Sequence, residues 1–227
     1  MTDDTATLAS FQLADSFLPV GGYTASYAVE QFIQTGDVTD ADGLRALLTT
    51  YLRRQVGPAE LVAVRAAHRA TGQGDVEALV RADRRLYAAT LPAEFRESAT
   101  RTGSRLCELR RETGAETDLL EAYAGHDPPQ QYAAVLGAVA AVEGVDERRV
   151  CLLYGYSFCS DVLGAAQRLL SLGHTDTQRV LEELKPVVRT AVADSADRSL
   201  DELATFTPLV DIRAAAHERA DRRLFVS

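Results

Sequence analysis

The sequence predicts an all-α fold, a single-domain bundle of roughly eight to eleven helices spanning residues 1–227. Three observations predict it. Apolar residues recur at three- and four-residue spacings, as in Leu44, Leu47, Leu48, Tyr51 and Leu52. Glycine and proline punctuate the chain at the ends of such stripes. Alanine is abundant, 46% of residues are apolar, and few stretches alternate Val, Ile or Thr, so helix is the favoured local state. A chain of 227 residues can bury enough surface to be stable without disulfides or metals.

In chain order, the amphipathic run from Phe11 stops at Pro19. That residue forbids helix continuation and biases Leu18 toward an extended backbone, while Gly21 and Gly22 reach angles closed to other residues. Thr24 is the expected cap of the next helix, whose apolar face reads Tyr27, Val29, Phe32 and Ile33 up to a Gly36 stop. Asp40 or Asp42 caps the helix bearing the Leu44 to Leu52 stripe. Gly57-Pro58 reads as a break, with Pro58 opening a helix that runs through Leu61, Val62, Val64 and Ala66 to Gly72. Asp75 begins another, which ends near Pro92, and Pro92 opens the long helix containing Gly103. Gly125 to Pro129 reads as a loop inside the domain. From Tyr132 to Val142, small side chains including Ala134, Gly137, Ala138 and Ala141 predict a central, closely packed helix. Asp146 caps a long apolar helix reaching Leu163. Thr175 or Asp176 caps the one after the Gly173 stop, with a kink expected at Pro186.

A formal charge of −9, from 33 acidic against 24 basic side chains, argues against a nucleic-acid partner, because phosphate affinity comes from clustered Lys and Arg. Lys185 is the only lysine. An acid-rich, lysine-depleted surface suggests a salt-loving or GC-rich source, and a halophilic archaeon is the expectation. Cys107, Cys151 and Cys159 form no CxxC and sit in helical, apolar company, so buried free thiols in a reducing cytoplasm are expected. No stretch approaches the roughly eighteen apolar residues of a membrane helix, nor does the N-terminal region combine basic residues with a signal-length apolar run. A cytoplasmic protein with no membrane partner is expected.

The search for chemistry comes back thin. No GxxxxGK[ST] is present, and Gly21-Gly22 is a turn and not a phosphate cradle. His68, His126, His174 and His217 show none of the HxH, HxxxH or HExxH spacings that place two ligands on one face. His126-Asp127 and His174 with Asp176 are loop positions where a weak or transient metal contact could occur, but solvated polar residues are the favoured reading. Acidic pairs such as Glu182-Glu183, or Glu112 with Glu116, read as solvated surface. No catalytic residue, metal ligand or tightly bound cofactor is nominated.

Two distant segments carry a resemblance. The run from Leu13 to Glu30, LADSFLPVGGYTASYAVE, resembles the N-terminal signature of the urease accessory protein UreF family, with Asp15, Ser16, Leu18, Pro19, Gly21, Tyr23, Thr24, Ser26 and Glu30 matching. Phe206 to Ser227 is similar to that family's closing pattern, P-x-x-D-I-x-x-x-x-H-E followed by R-L-F-x-S. Between them, EFRESATRTGSRL is similar to the family's middle helix, with Glu94, Arg96, Gly103 and Leu106 in place. The resemblance spans the chain. It departs at Ala28, where a glycine is usual, and at Ser98-Ala99, which reverses a common pair.

The resemblance implies a non-catalytic, typically homodimeric scaffold. Such a protein joins UreD (called UreH in some organisms) and the GTPase UreG in a complex that delivers nickel to apo-urease, with nickel only transient in the assembly. It further implies that Pro19, Gly21, Gly22 and Tyr23 form a partner-facing turn, with Ser26 and Glu30 fixing the helix that follows. Arg223, Leu224, Phe225 and Ser227 match a tail, at about residues 222–227, expected to dock on UreD and help recruit UreG. An apolar tail of this kind is a candidate docking peptide on physical grounds too, as is packing onto its own bundle. His217-Glu218 matches the closing helix, where a structural hydrogen bond and catalysis both stay open. Two other readings remain: a metallochaperone that carries nickel itself, and a helical hydrolase using His217.

Overall fold

Carboxylates start many of the helices. Asp40 accepts from the Gly43 N–H at 2.8 Å, Asp75 from the Ala78 N–H at 2.8 Å, and Asp146 from the Arg148 and Arg149 N–H groups at 2.9 and 3.1 Å. The computed structural model describes residues 3–21, 27–114, 118–170 and 172–219. Within them lie α1 (Asp3–Ala14), α2 (Val29–Gln34), α3 (Ala41–Tyr51), a π-helical segment (Leu52–Glu60), α4 (Leu61–Gly72) and α5 (Val76–Ala89). These are followed by α6 (Ala93–Thr113), α7 (Asp118–Gly125), α8 (Tyr132–Val142), α9 (Glu147–Leu169), α10 (His174–Asp194), a 3-10 turn (Leu200–Glu202) and α11 (Pro208–His217). The fold is all-α, with no strand among the described residues.

At the centre lies α8, packed against α4, α5, α6 and α9. Residues 133 to 140 are buried on every face of it, which the run of small side chains predicts. At Gly137 a Cβ would stand 2.3 Å from the Val64 carbonyl oxygen of α4, and at Gly103 of α6 one would stand 2.0 Å from the Gln130 carbonyl. These glycines set how closely the helices approach. One apolar cluster runs from Ala9 in α1 to Ala214 in α11. All three cysteines are buried and free, and burial pushes the thiols up, to about 11 for Cys107 and about 12 for Cys151 and Cys159.

Three local expectations differ from the structure. Gly57-Pro58 is not a break: the helix runs on from α3 through the π-helical segment into α4. Pro58 has no N–H for the Arg54 carbonyl, and the Phe206 N–H supplies one from outside at 3.0 Å, while the Ala204 N–H bonds the Pro58 carbonyl at 3.3 Å. The helix expected from Thr24 begins only at Val29, because Tyr27 and Ala28 take left-handed angles, φ +47° and +59°; Thr24 itself lies outside the described residues. Gly173, and not Thr175 or Asp176, stands at the N-cap of α10, which continues through Pro186.

The Gly125 to Pro129 loop is organised by a carboxylate that the sequence pattern does not single out. Asp83, fully buried on α5, accepts from the Tyr123 hydroxyl at 2.8 Å and from the Gln130 and Gln131 N–H groups, both at 2.7 Å. Those bonds span the end of a loop in which Asp127 and Gln130 take positive φ. They also aim the Gln131 amide at Thr100 Oγ1, 2.7 Å away on α6. Burial raises the Asp83 carboxyl above its ordinary range, against the lowering effect of these bonds.

Candidate functional site

The N-terminal turn is built by short-range bonds. Asp15 accepts from the Phe17 N–H at 2.8 Å through its side chain and from the Leu18 N–H at 3.0 Å through its carbonyl, and the Val20 N–H reaches the Leu18 carbonyl at 2.8 Å. Pro19 and Gly21 lie exposed at this turn, Gly21 at φ +80°, and Phe17 projects with 90% of its surface open. Tyr27, the first described residue after Gly21, is partly buried against the core. Its ring packs edge-on against Phe158, Phe95 and Tyr51, with centroids 4.8, 5.4 and 6.5 Å away, and the Tyr51 hydroxyl donates to the Tyr27 carbonyl. That bond holds the left-handed backbone from which α2 departs.

Glu30, in the first turn of α2, points inward and is 1% exposed. Its carboxylate lies 3.3 Å from His217 Nε2, on the last turn of α11, and accepts from the Gln34 amide at 3.0 Å. The other ring nitrogen, Nδ1, meets both oxygens of Glu94 on α6, at 2.9 and 3.0 Å. The next residue, Glu218, accepts from the Glu94 N–H at 3.2 Å and so caps α6, whose N-cap is a proline with no side-chain acceptor. Arg213 pairs with Asp37 at 2.5 Å, a second tie between α11 and the residues after α2.

One imidazole between two carboxylates is thus the junction of three distant segments. The hydrogen bond to Glu94 leads in raising the His217 pKa above its ordinary value; attraction from Glu94 and Glu30 adds to it, and burial opposes it. With a carboxylate facing each ring nitrogen, the shift favours the protonated ring. At 1% exposure it has no open face for a substrate. A second buried carboxylate, Glu60 of the π-helical segment, accepts from Gln55 and from the Tyr154 hydroxyl, each at 2.9 Å, and burial raises its pKa. Neither Glu60 nor Asp83 carries a sequence signal beyond an acid adjoining an apolar stripe.

Of the residues expected to face partners, the structure places Pro19 and Gly21 on the surface and Glu30 in the interior. Gly22, Tyr23, Ser26, Arg223, Leu224, Phe225 and Ser227 lie outside the described residues. No group of three or more His, Cys, Asp or Glu among the described residues is arranged to hold a metal ion. His68 bonds the Val145 carbonyl, His126 approaches Glu77 and His174 meets Gln167.

The family model described as UreF matches residues 38–185, more than half of the chain. The chain belongs to the UreF family. Among UreF relatives, "Urease accessory protein UreF" of Trichodesmium erythraeum is 31% identical over 230 residues, covering 100% of this chain and 99% of that protein. The protein of the same name from Yersinia enterocolitica is 33% identical over 217 residues, 94% of this chain and 95% of its own length. "Urease accessory protein UreF 1" of Brucella melitensis is 33% identical over 219 residues, 95% and 90% of the two chains. The three segments that carry the UreF resemblance by motif are the ones that Glu30, Glu94 and His217 bring together. No helix among the described residues is long and apolar enough to cross a membrane.

Proposed function

We propose that this UreF-family chain is a non-catalytic scaffold in urease maturation. It acts as a homodimer in the cytoplasm, bridging UreD/UreH and the GTPase UreG in the complex that hands nickel to apo-urease. The observation that carries the reading is the Glu30–His217–Glu94 junction. The most chemically suggestive histidine of the chain spends both ring nitrogens on carboxylates in the core, as a structural tie does and a general base does not. The junction also ties down described residues that adjoin, in sequence, two candidate docking segments. Glu30 follows the turn at Pro19 to Tyr23, and His217 precedes the tail holding Arg223, Leu224, Phe225 and Ser227. Tyr23 offers a rigid amphipathic anchor, and the Arg223 guanidinium can pair bidentately with a partner carboxylate.

Size-exclusion chromatography with light scattering on the chain coexpressed with UreD and UreG tests this directly. A ternary complex is expected with the full chain. It should be lost on removal of Arg223 to Ser227 and weakened about tenfold or more by Arg223→Ala, with the helical content of the isolated chain unchanged. No complex with the intact chain, together with a tight stoichiometric nickel site by titration, would replace the scaffold with a metallochaperone.

A further inference from the structure

Most described arginines meet a carboxylate or a carbonyl: Arg65 and Arg69 hold Glu147, Arg111 holds Glu121, and Arg213 holds Asp37. Four that do not are gathered along the outward face of α10. Arg148, at the start of α9, and Arg189 line an open cavity of about 410 Å³ with Pro186 and Thr190. Arg53, in the π-helical segment, and Arg198, just after α10, line an adjoining cavity of about 330 Å³ that shares Thr190. All four arginines are exposed, and none makes a hydrogen bond or ion pair through its guanidinium among the described residues. Asp194 borders the second cavity without pairing with either arginine there. Bonds from Ser199, with a smaller pull from Arg198, hold the Glu202 carboxyl below its ordinary range.

We propose that this strip docks a short, extended acidic segment of a partner protein, a contact separate from the N-terminal turn and the tail. In a chain of charge −9, unpaired cations gathered at two joined cavities reverse the sign locally, and guanidinium groups pair bidentately with carboxylates. From Pro186 to Asp194 is about 12 Å at 1.5 Å per helical residue, the length of about four extended residues. A segment with carboxylates about four residues apart therefore meets Arg148 and Arg189 at one end and Arg53 and Arg198 at the other. Small or apolar residues between them lie over Pro186 and Pro58. Nucleic acid fits poorly, because a duplex carries one charge per about 1.7 Å and would run past this short strip along a chain whose net charge repels it. By helical spacing Pro186, Thr190 and Ala193 stand on the far side of α10 from the buried Leu184 and Val188, so a homodimer formed across that apolar side leaves the strip open.

The probe is a fluorescently labelled synthetic peptide of about ten residues, with Glu pairs about four residues apart and Ala and Pro between them, compared with the same peptide carrying Gln for every Glu. Each is added to the full chain at low ionic strength, with binding read by anisotropy and the association state of the chain by light scattering. The Glu peptide should bind saturably and more weakly as salt is added, and the Gln peptide should not bind. Arg148→Glu and Arg53→Glu should each weaken binding about tenfold while leaving the circular dichroism spectrum unchanged. Arg198→Glu replaces either variant if it fails to fold. Arg101 is exposed and equally unpaired, but lies on α6; Arg101→Glu makes the same change in net charge and should leave binding as it was. No binding, equal binding of both peptides, or equal weakening by Arg101→Glu would overturn the proposal. So would displacement of the labelled peptide by tripolyphosphate at a lower concentration than by unlabelled peptide, because the ligand would then be a phosphate. A change of association state in Arg148→Glu or Arg53→Glu would overturn it too, by making a second copy the occupant. The probe contains no urease protein, so this result is independent of whether the bridging complex forms.

Discussion

Ala28 shows why a family motif can prefer glycine where spacing alone gives no reason. Its φ of +59° is a left-handed angle, and its methyl is fully buried. That backbone disfavours a non-glycine residue by about 1–2 kcal/mol. Burying the methyl contributes about 0.8 kcal/mol, and alanine restricts the unfolded chain by about 0.5–1 kcal/mol relative to glycine. The effects nearly cancel, so Ala28→Gly should lie within about 1 kcal/mol of the parent in urea unfolding. Ala138→Gly, equally buried but in the right-handed α8, releases no strain and should cost about 1–2 kcal/mol. Equal costs would mean that Ala28 is not strained.

His217 makes a pH prediction. Its folded pKa is raised, so its contribution to stability is fully present below its unfolded value, about 6.5, and is lost as pH rises through the folded pKa. The facing groups are Glu30 on α2, Glu94 on α6 and the adjacent Glu218, with Gln34 bonded to Glu30. His217→Gln cannot carry the positive charge between two carboxylates. Its deficit relative to the parent should therefore be largest in mildly acidic buffer and shrink as the buffer is made alkaline. A deficit that stayed constant across that range would show that shape, and not charge, holds α11 in place.

Among the elements, α8 was the most legible in the sequence and the π-helical segment the least. A row of Ala and Gly has no other use than close approach, and α8 sits against α4 with no room for a Cβ at Gly137. Gly137→Ala pushes a methyl into the Val64 backbone, which cannot rotate away as a side chain can. It should cost about 3 kcal/mol or more, or prevent folding, whereas Gly125→Ala meets nothing within 4 Å and should change the melting temperature little. Gly57-Pro58 misled because proline's missing N–H normally ends a helix. The compensating donor, Phe206, comes from far along the chain, and no local pattern announces it. The same limit hid Asp83 and the Glu94 to His217 contact. Each residue is an ordinary acid or histidine in its own segment, and only tertiary folding makes it a tie. The motif match named Glu30, Glu94 and His217 separately, but which would meet was not written in their spacing.

At the scale of the whole molecule, electrostatics sets the behaviour in salt. The excess of 33 acidic over 24 basic side chains leaves a charge of −9, and compaction brings those like charges closer together. Several cations are already engaged internally: Arg65 is buried and bonds Ser195 and the Val192 carbonyl at 3.0 and 2.8 Å besides pairing with Glu147, and Arg110 pairs with Glu143. Cations held in this way do less to neutralise the outer surface. Added salt screens the remaining repulsion within about one Debye length, roughly 10 Å at 0.1 M and 3 Å at 1 M, while partly buried pairs are screened much less. The folded chain should therefore gain stability on going from low to molar potassium chloride. A gain of about 1 kcal/mol would raise the melting temperature by about 2–4 °C for a chain of this size. Potassium chloride is the better choice for this measurement, because sulfate would also strengthen apolar burial and blur the cause. A melting temperature that stayed level or fell between those limits would mean that attractive surface pairs outweigh the net repulsion, and the reading of the composition as salt-adapted would fall with it.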